Sequence, residues 1–399
     1  MNRYSHSLPV PPIVAALLCA AQPCSVVADS LEVRRLATVK AEPHRDGHVL
    51  YRVAPRDWLL LANEGQTDGY YEVVLPDGTG QGWIYRTLVR RHPGNPPDAP
   101  AAHSGRLEVH VIDVGQADAI LIRCPDGTHE MLTDAGDRRY PGSRRRFEAY
   151  LSAQQTTDNE LEVVVATHPH ADHIGSMDWA LREYRVGLYV DNGNVSESRT
   201  YERVEDAYQE RRPDYWSAQD EIVPEIDFCP RSGASAVILR PAGFGSDADS
   251  NNNSVIVRVD YGQDSFLLAG DAGEVEEQLL LNDASTSALL DTDFLKAGHH
   301  GSATSSTDAF LAVVTPDVVA VSCGAPGVST NAPYKHPRYE RLEAMLSQAG
   351  PRQGAAVAIE AFNSASEQRR TLDLDRAVYV TTVDGTLVFV SDGNGIRKR

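Results

Sequence analysis

Three imidazoles and a carboxylate stand within six residues in Thr167-His168-Pro169-His170-Ala171-Asp172-His173. Imidazole nitrogen and carboxylate oxygen are the donors that a borderline divalent ion such as zinc accepts. The cluster follows directly on the apolar run Val163-Val164-Val165-Ala166, the composition of a buried strand. Alternate spacing after that strand puts His168 and His170 on one side of a loop. Asp172 and His173, one turn further, can reach a second ion. A metal site explains this pattern better than a histidine-rich surface loop, because four ligand-type residues at this spacing rarely arise by accident.

The segments that must position such a loop are strand-like. Leu107 to Gly136 reads as two strands of a hairpin around Pro125-Asp126-Gly127, and Ser254 to Asp271 as a strand pair around Tyr261-Gly262 that ends on an acid. Arg144 to Gln155 has helical spacing through Phe147, Tyr150 and Leu151, and Asp178 to Tyr184 begins another helix. Strands alternate with helices, and hairpin followed by metal-bearing loop occurs twice. Between Tyr189 and Asp247 lies a long segment rich in charge, tyrosine and tryptophan. Its position suits a substrate-shaping insertion, and a solvated helix pair is the plainer expectation.

In order, DVGQxD, LTDAG, THPHADH, SFLLAGD and LKAGHHGS resemble the metallo-β-lactamase-like domain of the ComEC family of competence DNA-uptake proteins, over about residues 106 to 395. The resemblance implies an α/β (α+β) fold: an αββα sandwich with two sheets face to face and helices outside. It implies two divalent ions, zinc or manganese, the first on His168 and His170 and the second on Asp172 and His173. Asp271 matches the bridging carboxylate. His299 matches the last ligand of the second ion, with its neighbour His300 as the alternative. Asp134 in LTDAG matches an acid that orients a ligand imidazole without touching metal. Lys296, His300 and His336 are candidates for holding substrate or leaving group. Lys335 and Ala117 each replace a family glycine, so both turns are expected to differ from the pattern.

Most two-zinc relatives supply a further histidine before the bridging Asp, and no histidine occurs here from Ile174 to Gly298. Asn251, Asn252 or Asn253 falls near the missing position. An amide oxygen is a harder ligand than imidazole and favours manganese. Metal-bound hydroxide would serve a phosphodiesterase or nuclease. An esterase, lactonase or β-lactam hydrolase uses the same chemistry, and an envelope-binding protein with a relic metal site is the non-enzymatic alternative.

At 399 residues the chain is long enough for two domains, and its formal charge of −19 argues against nonspecific gripping of polyanions. An anionic substrate, small or polymeric, nucleic acid included, must rely on local positive charge. Residues 1–28 read as a signal peptide: Arg3, the apolar Ile13 to Ala21, and a small-residue junction at Val26-Val27-Ala28. The mature protein is then periplasmic or extracellular, with no transmembrane span. Cys124, Cys229 and Cys323 remain, enough for one disulfide and one spare thiol. Residues 29–91 show all-β spacing, and Gly69 to Val89 resembles bacterial SH3-like barrels, with Trp83 in a turn; such a module serves either a cell-wall or protein ligand or, equally, packing or a cover over the catalytic cleft. Residues 92–105 read as a proline-rich linker and 106–399 as the hydrolase domain.

Overall fold

The computed structural model describes residues 29–34, 37–45, 47–53, 58–75, 80–92, 105–154, 159–219, 226, 228–229 and 232–399. The signal segment, the turn Pro76-Asp77-Gly78 and nearly all of the proline-rich linker lie outside them. The chain divides into two compact units, one through Ala99 and one from Pro100. The first is all-β, with seven strands in one sheet. Leu31, Val39, Leu59, Val73 and Ile84 form its core. Asp68 and Gly69, both at positive φ, make the tight turn between Trp58–Thr67 and Tyr70–Val74. Trp83 lies within the strand Gln81–Tyr85 and not in a turn, because the whole run pairs with Tyr70–Val74.

The described residues of the second unit form two large sheets and a two-stranded one, Val357–Phe362 with Arg369–Leu374. The first orders its strands as Asp214–Ser217, Arg185–Asp191, Glu160–Val165, Glu130–Thr133, Ile120–Arg123, Leu107–Val111, Leu387–Ser391 and Ile396–Lys398. The second runs Ala234–Leu239, Ile256–Tyr261, Asp264–Leu268, Phe294–Lys296, Val318–Val321 and Val378–Val380. Met131, Val163 and Val165 join Val257, Phe266 and Phe294 in one core, while Leu132 and Val164 face Phe147, Met177 and Leu181 on the helical side. Period-two alternation thus buries both faces of the first sheet, which is why Val163-Val164-Val165 is apolar throughout.

The helices Pro141–Ala153 and Met177–Glu183 fall where the spacing predicts, the first beginning early because Pro141 is tolerated in an opening turn. The segment after Tyr189 departs from a helix pair. Among its described residues it forms one helix, Arg199–Arg211, ended by Arg212 in the left-handed region and by Pro213, and then the strands Asp214–Ser217 and Ala234–Leu239. Cys124 and Cys229 form a disulfide and Cys323 is a buried free thiol.

Glu130–Thr133, Glu160–Val165 and Arg185–Asp191 are parallel neighbours, as are Asp264–Leu268, Phe294–Lys296 and Val318–Val321. Parallel strands end at one rim, where the loops leave the sheet. Asp134, the His168–His173 loop, Asp271 and the His299-His300 pair all follow such strand ends.

Candidate metal centre

Asp134 fixes the histidine loop from below. It is buried at positive φ; its Oδ1 accepts from the Thr167 backbone N–H at 2.9 Å and its Oδ2 from Thr167 Oγ1 at 2.9 Å. The same Oδ2 takes His173 Nδ1 at 2.7 Å, which turns His173 Nε2 towards Asp271 Oδ2, 3.1 Å away. A hydrogen bond of this kind sets the ring's orientation and tautomer, the role expected of Asp134.

Asp271 is the hub. Besides His173, its Oδ2 has His300 Nε2 at 3.6 Å, His299 Nε2 at 3.8 Å and His168 Nε2 at 3.9 Å. His300 Nε2 also lies 3.7 Å from Asp172 Oδ2, and His168 Nε2 lies 3.0 Å from His170 Nδ1. Two donors about 2.0–2.1 Å from a tetrahedral ion stand roughly 3.3 Å apart, so these spacings suit ligands around a cation. His173 Nε2, His300 Nε2, Asp271 Oδ1 and Asp118 Oδ1 are buried without a hydrogen-bond partner. Leaving such atoms unsatisfied is costly, and a divalent ion would satisfy them. The residues present therefore fit the metal that the sequence predicts. Ligand atoms of His168, His173 and Asp271 lie within 4.8 Å of one another, as do those of Asp172, His173 and His300.

The electrostatics agree. Burial and then the neighbouring His173 hold His168 well below its ordinary pKa, in the neutral form that binds metal. Burial opposes charge on His300, yet Asp271 and Asp118 push it up to about 10; Asp271 and Asp134 likewise hold His173 well above its usual value. Asp172 and Asp271 stay ionised against burial because these imidazoles face them. The pocket is thus built to hold positive charge among its carboxylates.

The resemblance favours His299 as the last ligand with His300 as the alternative, and the two differ in burial. Both adopt positive φ, 46° and 53°, a conformation that costs a non-glycine residue roughly 1–2 kcal/mol. The two rings are unequally buried, although both Nε2 atoms reach Asp271 Oδ2, at 3.8 and 3.6 Å. His300 is buried, with Nδ1 on the Ser322 carbonyl at 2.9 Å, while the His299 side chain keeps 23% of its surface and lines the open cleft. Glu277 supports the following loop by accepting from the Thr307 N–H at 2.9 Å.

Lys296 is a correction. Expected beside substrate, it is wholly buried, its Nζ donating to Asp118 Oδ2 at 2.6 Å and to the Ala297 carbonyl at 2.9 Å. The strand that carries it is covered on both faces, so its ammonium can meet only a buried carboxylate. Asp118 was not singled out as a site residue, although it is the acid of DVGQxD; it also stands 3.3 Å from His300 Nδ1. The cations that do line the cleft are Arg139 and Arg338, for which the sequence carries no signal.

The cleft encloses about 540 Å³ and also reaches Gln116, Tyr334 and His336. His336 is nearly buried, and burial together with His300 and His299 lowers it to about 3, leaving a neutral ring 5.3 Å from that of His299. Lys335 beside it has φ 60°, the region that favours the glycine it replaces. Lys335→Gly is therefore expected to stabilise the chain by up to about 1 kcal/mol, read as a rise in thermal midpoint; a fall would show that its contacts with Glu367 and Phe362 outweigh the strain. Ala117 shows no such departure, since the positive φ in that turn belongs to Gly115.

The three asparagines also separate. Asn253 spends its amide nitrogen on the Asp247 carbonyl at 2.8 Å. Asn251 Oδ1 and Asn252 Oδ1 are buried without hydrogen bonds. Asn251 lines the cleft with His170, Asp172 and Asp271; Asn252 lines a neighbouring cavity beside Gly273.

Residues 112–325, more than half of the chain, match the Metallo-beta-lactamase superfamily. The chain belongs to the metallo-beta-lactamase superfamily. It is 26% identical over 254 residues to ComE operon protein 3 of Bacillus subtilis, covering 60% of this chain and 30% of that protein. It is 29% identical over 236 residues to Recombination protein 2 of Haemophilus influenzae, covering 59% and 26%. Competence protein ComA of Neisseria gonorrhoeae is 27% identical over 269 residues, covering 66% and 33%, so the chain spans a third or less of these relatives. Among solved structures, the metallo-beta-lactamase fold protein YhfI of Bacillus subtilis matches with a TM-score of 0.41 at 11% identity, over 72% of this chain and all of that one. This superfamily member therefore has the αββα fold of a metal-dependent hydrolase and relatives among competence proteins.

Proposed function

We propose that the protein is an exported phosphodiesterase, with nucleic acid as the substrate class that suits it best. The observation that carries this reading is the convergence of His173, His300, His299 and His168 on Asp271 Oδ2 within 3.1–3.9 Å. Divalent ions bound there would supply Lewis acidity and bring the pKa of water down to roughly 7. His168, His170 and Asn251 would hold the first ion, and Asp172, His173 and His300 the second, with Asp271 between them. Arg338 and Arg139, the latter with Nε and Nη2 already donating to Asp137, line the cleft and supply positive charge to phosphate oxygens, which a chain of net charge −19 needs locally. Neutral His336, beside His299, is placed to hydrogen-bond a leaving group.

Manganese is expected to support at least as much activity as zinc, because an amide oxygen replaces an imidazole at the first site. The check is apo-protein reconstituted with each ion and assayed on bis(p-nitrophenyl) phosphate, single- and double-stranded DNA, RNA, lactones and nitrocefin. Strict zinc dependence with turnover of lactone or nitrocefin alone would replace this reading by the esterase or β-lactam one. No turnover on any substrate by metal-loaded protein would favour an envelope-binding protein with a relic site.

Export is supported by the Cys124–Cys229 disulfide, a bond that persists in oxidising compartments. No helix among the described residues is long and apolar enough to cross a membrane. N-terminal sequencing of protein from the cell envelope or medium is expected to begin near Asp29, and an intact Met1 on cytoplasmic protein would refute export. The all-β unit is taken as an SH3-like module for a cell-wall or protein ligand.

A further inference from the structure

Four tyrosines and two carboxylates that the metal centre does not use close on a second, smaller cavity of about 170 Å³. They come from the tyrosine-rich segment that the hydrolytic chemistry leaves unexplained. Tyr189, almost fully buried, lies in register with Tyr215 on the parallel edge strand. Tyr201 and Tyr208, seven residues apart on the helix Arg199–Arg211, present one face to them. The Tyr208 and Tyr215 rings are 5.4 Å apart and tilted by 55°, so they meet as the walls of a corner and do not stack. Tyr189 lies 6.0 and 6.2 Å from these two rings.

Asp191 and Glu205 line the same cavity. Asp191 Oδ1 accepts from the Tyr215 hydroxyl at 2.9 Å and from the Gly193 N–H at 2.8 Å, which fixes the carboxylate without removing its charge. Aromatic faces carry the negative end of the ring quadrupole, so walls and acids add to one field. Burial, and then Asp191, push the phenols of Tyr189, Tyr201 and Tyr215 up, which keeps these three neutral.

An anion is repelled by this field, and a small inorganic cation would lose hydration that aromatic walls cannot replace. A quaternary ammonium loses little water and gains cation–π contact. We infer that this cavity binds the quaternary ammonium head of a small organic cation, with Tyr189, Tyr208 and Tyr215 around the methyl groups and Asp191 opposite the charge. The volume is below the roughly 300 Å³ of a drug-sized site, which limits the occupant to a head group. The inference is independent of what the metal centre hydrolyses.

The test is calorimetric titration of the full chain with tetramethylammonium chloride, against potassium chloride at equal ionic strength. Saturable binding with a Kd of about 1 mM or tighter is expected for the organic cation alone. Tyr208→Leu and Asp191→Asn should each weaken it at least about tenfold, and Tyr215→Phe, which keeps the ring, should hold it within about threefold. Should Tyr208→Leu fail to fold, Asp191→Asn decides, since its amide oxygen still accepts from Gly193. Absence of saturable binding, an equal response to potassium, or binding unchanged in Asp191→Asn would overturn the site.

Discussion

Asp271→Ala is expected to lower kcat/KM at least about 10³-fold, equivalent to roughly 4 kcal/mol of transition-state stabilisation, while leaving the fold intact. Its Oδ2 is the point towards which four imidazoles turn, so its removal takes away the carboxylate around which the proposed ligands gather. The fold survives because the backbone N–H of residue 271 still donates to Ser254 Oγ, and the apolar strands Asp264–Leu268 and Phe294–Lys296 are untouched. Metal content by mass spectrometry should fall with activity, and circular dichroism should not change. Asp172→Ala and His168→Ala are expected to behave likewise. Turnover within tenfold of the parent in a metal-repleted Asp271→Ala protein would remove the two-metal mechanism.

Lys296→Met should give the largest loss of stability, about 3–5 kcal/mol, because it strands the buried Asp118 carboxylate. Both side chains are at most 1% exposed, and Asp118 stays ionised against its burial chiefly because Lys296 faces it, with His300 adding to the effect. The double variant Lys296→Met, Asp118→Asn removes both charges and should recover part of the loss. Chemical denaturation measures both. A single variant as stable as the parent would mean that the pair contributes no net stability. A double variant no better than the single one would mean that volume, not charge, is what Lys296 supplies.

Both predictions rest on residues whose roles were legible to very different degrees. The ligand types of His168, His170, Asp172 and His173 are written in six consecutive positions, so local geometry alone brings them together. Asp271 was legible only through the resemblance, in which the acid closing SFLLAGD matches the bridging carboxylate; an acid after a strand reads by itself as a turn residue. The αββα architecture followed from the resemblance, and the alternation of Met131 and Leu132 between two cores shows the same pattern in three dimensions. The helix pair expected after Tyr189 failed where Pro213 ends the helix and Tyr215 and Trp216 prefer an extended edge strand.

What the chain order could not contain is any contact made across the sandwich. Lys296 and Asp118 are 178 residues apart, and only the facing of two sheets makes the lysine a buried counter-ion instead of a substrate contact. His299 and His300 are neighbours of identical chemistry; with left-handed backbone at both positions, both reach Asp271, but His300 is buried and also faces Asp172 while His299 stays partly exposed. The same holds for Asn251, which local composition cannot distinguish from Asn252 and Asn253 until hydrogen bonds to Asp247 consume the third and packing beside Gly273 removes the second. Residue type and short-range spacing therefore determined that this protein carries, at a strand rim, a His/Asp cluster that could hold metal. Which atoms face that centre was decided by tertiary structure, because side-chain direction depends on backbone angles and on partners that sequence separation hides.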